Sequence, residues 1–163
     1  MRERSFASWV APIASILEQD RRVLLDFVRA APHDLWTLPA IGADVWTRRD
    51  VLAHLAGGND RMVQTVLRAV IERLPLGTSA LDPDTHAENA RGVAARRAWS
   101  IERLVATLEA DGEEMLELLA ALSENDQTIK PGGASWTIGE MLRIVAAERH
   151  DMLHLAQMRD QAL

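Results

Sequence analysis

The same helix-start pattern occurs twice in the sequence, as Trp46-Thr-Arg-Arg-Asp-Val-Leu-Ala-His54 and as Trp136-Thr-Ile-Gly-Glu-Met-Leu142. In each copy the threonine can cap a helix N-terminus, and the acidic residue three positions later can close a capping box. The preceding tryptophan can pack on Val51 or Met141 as a hydrophobic staple. The pattern therefore predicts two helix starts, and it favours a structural role for both tryptophans over an aromatic ligand cage.

Proline and glycine divide the remaining sequence into long segments with helical apolar periodicity. Helices are predicted at residues 5–31, 47–74, 85–122 and 137 to the C-terminus. Gly92 and Asp111-Gly112 are candidate breaks in the third helix, and no segment shows the alternation of a strand. Four long helices joined by short or medium loops predict an all-α, up-and-down four-helix bundle. With 163 residues, we expect a single domain over residues 1–163.

The composition favours a cytoplasmic protein. There are no cysteines, which excludes disulfides, thiolate metal sites and cysteine nucleophiles and fits a reducing compartment. No signal peptide is expected, and no stretch approaches the roughly 20 apolar residues of a membrane span. The net charge is −6, and the densest basic spot (Arg91, Arg96 and Arg97) is better explained as a solvated helix face than as a nucleic-acid patch. We therefore expect neither a membrane nor a nucleic acid as a partner.

Two histidines on the last predicted helix, His150 and His154, have the i, i+4 spacing. This spacing places their imidazoles about 40° apart around the helix axis, so that both can ligate one metal ion. Gln157 follows one turn later and can form a hydrogen bond there. On spacing alone, a chance pair of solvated histidines is at least as good an explanation. The two remaining histidines, His33 and His86, are expected to be exposed in loops, with the alternative for His86 that its loop lies over the metal.

A third histidine, His54, lies on the second predicted helix. In a continuous helix its face holds Gly57, Gly58, Arg61 and Thr65, and the apolar stripe is turned away. A core histidine is therefore not expected, and a surface histidine is the main alternative to a ligand. Glycine inside a helix costs about 1 kcal/mol relative to alanine, so the Gly57-Gly58 pair indicates close approach of a neighbouring helix or a ligand. These features suggest one metal site formed by three histidines.

The order of these motifs resembles the DinB/YfiT-like superfamily of bacterial four-helix-bundle metalloproteins. The resemblance covers most of the chain and rests on the two Trp-Thr blocks and on Glu148-Arg-His150-x-x-x-His154-x-x-Gln157-Met158. It implies that His54, His150 and His154 are the metal ligands of the family.

Three details of the resemblance concern other residues. Asn89 resembles a recurrent asparagine, although an asparagine near a helix start is often only a cap. Many members carry a further histidine upstream on the last helix, where this chain has Ile144. A carboxylate is expected to orient at least one ligand imidazole, and Asp50, Asp60 and Asp151 are the candidates.

The resemblance also implies a range of functions. Three neutral imidazoles leave a divalent ion with its full charge and an open position, and zinc or nickel suits such ligands. Relatives include thiol S-transferases, a thiol-dependent isomerase and hydrolase-like proteins. We therefore expect a metal-dependent enzyme that acts on a small-molecule substrate, with a low-molecular-weight thiol as cosubstrate if it transfers thiols. The alternative is a non-catalytic stress or resistance protein that binds metal or a small ligand.

No catalytic residue can be assigned from the sequence, because it contains no nucleophile elbow, phosphate loop or dinucleotide fingerprint. The last predicted helix does carry a second apolar face, opposite His150 and His154, formed by Met141, Val145, Met152 and Leu155. Together with the resemblance, this face predicts a homodimer, with two-fold pairing as the default.

Overall fold

The computed structural model describes residues 4–42, 45–57, 59–76 and 85–159, with the backbone alone for Asn59, Asp60, Thr85 and His86. In these residues the chain forms seven α-helices: α1 (Ala11–Ala30), α2 (Arg48–Leu55), α3 (Asn59–Ile71), α4 (Thr85–Ala95), α5 (Ile101–Ala121), α6 (Ile138–Glu148) and α7 (His150–Met158). Short 3₁₀ turns occupy His33–Thr37, Glu124–Thr128 and Pro131–Gly133. Over the same described ranges, β pairing is limited to one isolated bridge between Pro39 and Thr47. The prediction of an all-α fold is confirmed.

Both predicted helix starts are confirmed. The Thr47 side chain accepts a hydrogen bond from the Asp50 backbone N–H, and the Asp50 carboxylate accepts one from the Thr47 N–H. Thr137 and Glu140 form the same reciprocal capping box at the start of α6. Each box satisfies two backbone donors that a helix N-terminus otherwise leaves unpaired.

The second predicted helix is interrupted, so the prediction of one continuous helix over residues 47–74 was wrong. Helix α2 ends at Leu55, and α3 begins at Asn59. Between them Gly57 has φ +116°, a conformation that glycine adopts readily and other residues rarely do. Gly57 therefore lies in the break itself and not inside a helix.

The third predicted helix is also divided, but at a different place from the one expected. The break falls between Ala95 and Ile101, where Ser100 accepts a hydrogen bond from the Arg103 N–H and caps α5. Gly92 and Gly112 lie within α4 and α5. Cap chemistry at Ser100 therefore decides this boundary.

The last predicted helix breaks at Arg149, a non-glycine residue in the left-handed conformation with φ +46° and ψ +52°. At about 100° per residue, the buried positions of α6 and those of α7 would lie on opposite sides of one straight helix. The turn at Arg149 directs both sets into the interior. These buried residues are Ile138, Met141, Leu142 and Ala146 in α6, and Asp151, His154, Leu155 and Met158 in α7.

This turn also accounts for the second apolar face of the last predicted helix. Met141 and Val145 pack in one apolar cluster of the chain, and Met152 and Leu155 pack in another. These four side chains are thus covered within the chain itself. They no longer support a homodimer.

The apolar core consists of two clusters. The first joins the N-terminal half of α1, α3, the C-terminal half of α5 and α6, and the second joins the C-terminal half of α1, α2, the N-terminal half of α5 and α7. Four charged residues, Asp20, Arg21, Arg149 and Asp151, lie between the two clusters along α1 and the α6–α7 junction, and we call them the polar layer. The helical bundle is therefore two apolar halves that meet at a charged level. The up-and-down order of four helices and the single domain over residues 1–163 stay predictions.

In the part of the chain that is described, none of the helices has both the length and the apolar character needed to cross a membrane.

Candidate metal centre

His54 lies in the last turn of α2 and is buried, with 4 % of its surface exposed. The expectation that it would lie on the surface if it were not a ligand was therefore wrong. That expectation assumed a continuous helix, whereas α2 ends one residue after His54. Its ring packs instead against the ring of Trp46, with centroids 5.3 Å apart. Trp46 thus covers His54 in addition to preceding the helix cap.

The fold brings His54, His150 and His154 together. One ring nitrogen from each lies within 4.8 Å of the other two. The ring of His54 stands edge-on to both other rings, with centroid distances of 5.5 Å to His150 and 4.9 Å to His154. The Nε2 atoms of His150 and His154 are 3.0 Å apart. The i, i+4 pair of α7 and the single histidine of α2 therefore form one cluster.

A hydrogen bond fixes the orientation of His154. The Oε1 atom of Gln157 lies 2.6 Å from His154 Nδ1. Since a carbonyl oxygen can only accept, Nδ1 carries the hydrogen and donates it. In the neutral ring, Nε2 then keeps its lone pair and directs it toward His150 and His54. An amide, in place of the expected carboxylate, thus orients this imidazole.

Burial favours the neutral form of His54 and His154. The pKa of His54 is lowered to about 3, chiefly by desolvation and then by positive charge on His154, His150 and Arg96, in that order. Burial also lowers the pKa of His154, although the hydrogen bond to Gln157 and the charge of Asp151 act in the opposite direction. Neutral imidazole is the form that ligates a metal ion, so His54 and His154 have the required protonation state near neutral pH.

Two ion pairs hold the chain on both sides of His150. The Arg149 guanidinium donates to the carboxylate of Asp20, with Nε 2.9 Å from Oδ2, and Asp20 is buried. Arg21, the next residue of α1, donates from Nε to Asp151 at 2.6 Å and from Nη1 to the Leu108 carbonyl at 2.7 Å. Asp20 and Arg21, which are adjacent in α1, therefore bind the residues immediately before and after His150.

Arg96 is a buried cation near the site. It is 7 % exposed, whereas Arg91 and Arg97 are exposed. Its Nη1 donates to the Gly92 carbonyl at 2.8 Å, and its guanidinium lies directly against Gly57. The interpretation of all three arginines as a solvated face was therefore wrong for Arg96, which packs in the α2–α3 break.

The remaining sequence candidates lie elsewhere. His33 is exposed on a 3₁₀ turn, as expected. Asn89 is half-buried as the fifth residue of α4, so it is not a helix cap. Asp50 closes the Thr47 capping box, and Asp151 pairs with Arg21. The side chains of Asp60 and His86 lie outside the described residues.

Sequence reasoning missed Asp20, Arg21 and Arg149. The charged Asp20-Arg21-Arg22 run interrupts the apolar periodicity of α1, which was a usable signal. No sequence signal marks Arg149, because arginine is an ordinary helix residue and its left-handed conformation depends on tertiary contacts.

The donor set fits a divalent metal ion. Imidazole nitrogens suit zinc, nickel and related ions, and ligands of a tetrahedral zinc lie about 3.3 Å apart for bonds of about 2.0–2.1 Å. The Nε2 atoms of His150 and His154 are 3.0 Å apart, all three nitrogens lie within 4.8 Å of one another, and the described ligands include no carboxylate or thiolate. The arrangement can therefore hold one ion with three neutral ligands.

The chain belongs to the DinB superfamily. The model of this family matches residues 16–158, which include all three histidines and both capping boxes. No curated protein and no solved structure gives a significant match to the chain. The resemblance inferred from the order of the Trp-Thr blocks and the histidines is thereby confirmed.

Proposed function

We propose that this member of the DinB superfamily binds one divalent metal ion, zinc or nickel, through His54, His150 and His154, and uses it to act on a small molecule. The observation that carries the proposal is the convergence of three imidazole nitrogens within 4.8 Å from helices far apart in the sequence. Two of the three rings, those of His54 and His154, are buried and have lowered pKa values, so they are in the neutral form that ligates a metal ion.

The chemistry follows from the ligand type. When bound, a divalent ion with three neutral ligands would acidify a water molecule or a low-molecular-weight thiol at its open position. The Gln157 acceptor keeps His154 in the tautomer that presents Nε2, and Trp46 shields His54 from water on one side. We therefore propose either thiol S-transferase-like or hydrolase-like chemistry, with the thiol as cosubstrate in the first case.

A non-catalytic role is the second candidate. A helical protein that binds metal or a small ligand in stress or resistance would need the same three histidines. Turnover distinguishes the two, since a binding protein releases its ligand unchanged.

The metal is tested first. Elemental analysis of protein purified without a polyhistidine tag should give about one divalent ion per chain. His54→Ala, His150→Ala and His154→Ala should each abolish binding, and His33→Ala, which removes an exposed histidine outside the cluster, should not. Full metal content in His150→Ala would refute the ligand assignment. A panel of thiols and electrophiles with the metal-loaded chain then tests for catalysis.

We also propose that the chain acts in the cytoplasm and forms a homodimer. Ile144 and Leu153 are more than half exposed, which leaves apolar surface on the outer side of α6 and α7. Sedimentation equilibrium at micromolar concentration tests the dimer. A mass near the 18.1 kDa of one chain, independent of concentration, would refute it.

A further inference from the structure

We propose that the Asp20–Arg149 ion pair positions His150 by holding the left-handed turn between α6 and α7. The inference rests on the proposed metal site, because the ring that it orients is one of the three candidate ligands. Asp20 and Arg149 touch neither the ion nor a substrate. They act through the backbone of the residue that precedes His150.

Arg149 has an unfavourable backbone conformation. A side chain in the left-handed region is sterically unfavourable, and arginine gains no local hydrogen bond that relieves it. Without tertiary support, the segment Glu148-Arg149-His150 would continue α6 as an ordinary helix. In that case α7 would be rotated about half a turn, and its buried side would face solvent.

The left-handed turn at Arg149 is supported by its ion pair with Asp20. The Asp20 carboxylate is almost fully buried, and it binds Arg149 through both Nε and Nη2. A two-point contact of this kind fixes the direction of the guanidinium as well as its distance. Because a buried carboxylate without its cationic partner is strongly disfavoured, Asp20 holds Arg149 firmly in place. Arg21 of α1 and Asp151 of α7 form a second ion pair beside it, with the positive and negative residues exchanged between the two segments.

The position of the His150 ring depends on this ion pair. Unlike His54 and His154 it is only half-buried, and it is the first residue of α7. A small cavity of about 40 Å³ lies beside it, lined by Asp20, Arg149 and Asp151 among others. Packing therefore leaves His150 room to turn away. The direction of its ring depends on the backbone that the two ion pairs hold, as well as on the contact of its Nε2 atom with that of His154.

The experiment compares two double variants that both lack the ion pair. Asp20→Asn/Arg149→Ala and Asp20→Asn/Arg149→Gly differ only in whether residue 149 tolerates the left-handed conformation. Asp20→Asn alone is measured beside them. Glu114→Gln, which removes the interhelical ion pair with Arg68 away from the junction, is the control. Circular dichroism checks that each variant is folded.

Affinity for Co²⁺ and the visible absorption spectrum of the bound ion are the first readouts. Asp20→Asn and Asp20→Asn/Arg149→Ala should lower the affinity about tenfold and alter the spectrum, as expected when an outer partner of a ligand is lost. Asp20→Asn/Arg149→Gly should recover most of the affinity and the wild-type spectrum. Glu114→Gln should resemble wild type.

The second readout is independent of metal. In the chelated protein, the rate at which diethylpyrocarbonate modifies His150, followed by peptide mass spectrometry, reports whether its ring stays against His54 and His154. This rate should rise in Asp20→Asn and return toward wild type in the glycine double variant.

The outcomes separate the two proposals. If wild type binds no Co²⁺, the proposed metal site fails, and the modification rates still decide the positioning role. Equal Co²⁺ affinity and equal modification rate in wild type and Asp20→Asn would overturn the inference. Equal loss in the alanine and glycine double variants would also overturn it, because the ion pair would then act only as a structural contact.

Discussion

The ring of Trp46 lies against the ring of His54, with centroids 5.3 Å apart and planes inclined at 42°. The two residues are the first and last of the helix-start pattern Trp46-Thr-Arg-Arg-Asp-Val-Leu-Ala-His54. The second copy of the pattern ends in no histidine, and its tryptophan packs on the first apolar cluster. The repeated pattern therefore starts two helices, and one copy also covers a candidate ligand.

Replacing Trp46 with alanine should weaken both metal binding and stability. The loss of a half-buried tryptophan should lower the free energy of unfolding by about 2–3 kcal/mol, and admission of water to His54 should reduce metal affinity. Trp136→Ala is the matched control, because it should lower stability by a similar amount and leave metal affinity unchanged. Urea unfolding and chelator competition measure the two effects. Equal metal affinity in both variants would contradict a specific role for Trp46.

Gln157 should strengthen metal binding by accepting the hydrogen bond from His154 Nδ1, which keeps Nε2 free to ligate the ion. Gln157→Leu removes the acceptor and should lower metal affinity about tenfold. Gln157→Glu supplies a stronger acceptor at the same place and should keep or raise the affinity. Competition titration with a chromophoric chelator compares the three proteins. If Gln157→Leu binds as tightly as wild type, the hydrogen bond does not orient the ligand.

Gly57→Ala should destabilise the chain for two reasons. The φ of +116° is strained for alanine, and the added methyl group would overlap the guanidinium of Arg96. We expect a loss of about 3 kcal/mol in the free energy of unfolding. Gly42→Ala is the control, since Gly42 also has positive φ but has no atom near the added methyl, and it should cost only about 1 kcal/mol. Similar losses in urea unfolding would show that Arg96 does not press on Gly57.

The stability of the metal-free chain should fall at mildly acidic pH. The pKa of His54 is about 3 in the folded chain and near 6.5 when unfolded. Its neutral form therefore stabilises the fold fully above pH 6.5, and this contribution is lost as the pH falls from 6.5 toward 3. At pH 5 the loss amounts to about 2 kcal/mol. Urea unfolding with chelator at pH 7.5 and 5 measures it, and His54→Asn should remove most of the difference.

Removal of metal should leave the helices in place. Both apolar clusters are formed by side chains of the chain itself, so the fold does not require an ion as a small zinc module does. Chelation should leave the far-ultraviolet circular dichroism nearly unchanged at 25 °C and lower the Tm, because the ion binds the folded state alone. Loss of most of the helical signal on chelation would contradict this prediction.

The sequence was sufficient for the helical class, both capping boxes and the three histidines, because caps and i, i+4 spacing are local features. It was insufficient for the helix breaks. At Arg149 and between Ala95 and Ile101, tertiary contacts and a serine cap override a continuous periodic pattern. The burial of His54 could not be predicted for the same reason, since its surroundings are set by the break at Gly57. Partners distant in the sequence, such as Asp20 and Arg149, leave no periodic signal.

His54 and His150 are 96 residues apart in the sequence, and α3 to α6 lie between them. With the proposed ion in place, α2 and α7 would be joined by a crosslink that forms only after folding. A covalent crosslink over so long a loop stabilises a protein by restricting its unfolded chain. A metal crosslink differs because it can be released, and its strength follows the concentration of free ion. The folded protein would then persist longer when the concentration of free metal ion is high and unfold sooner when it is low.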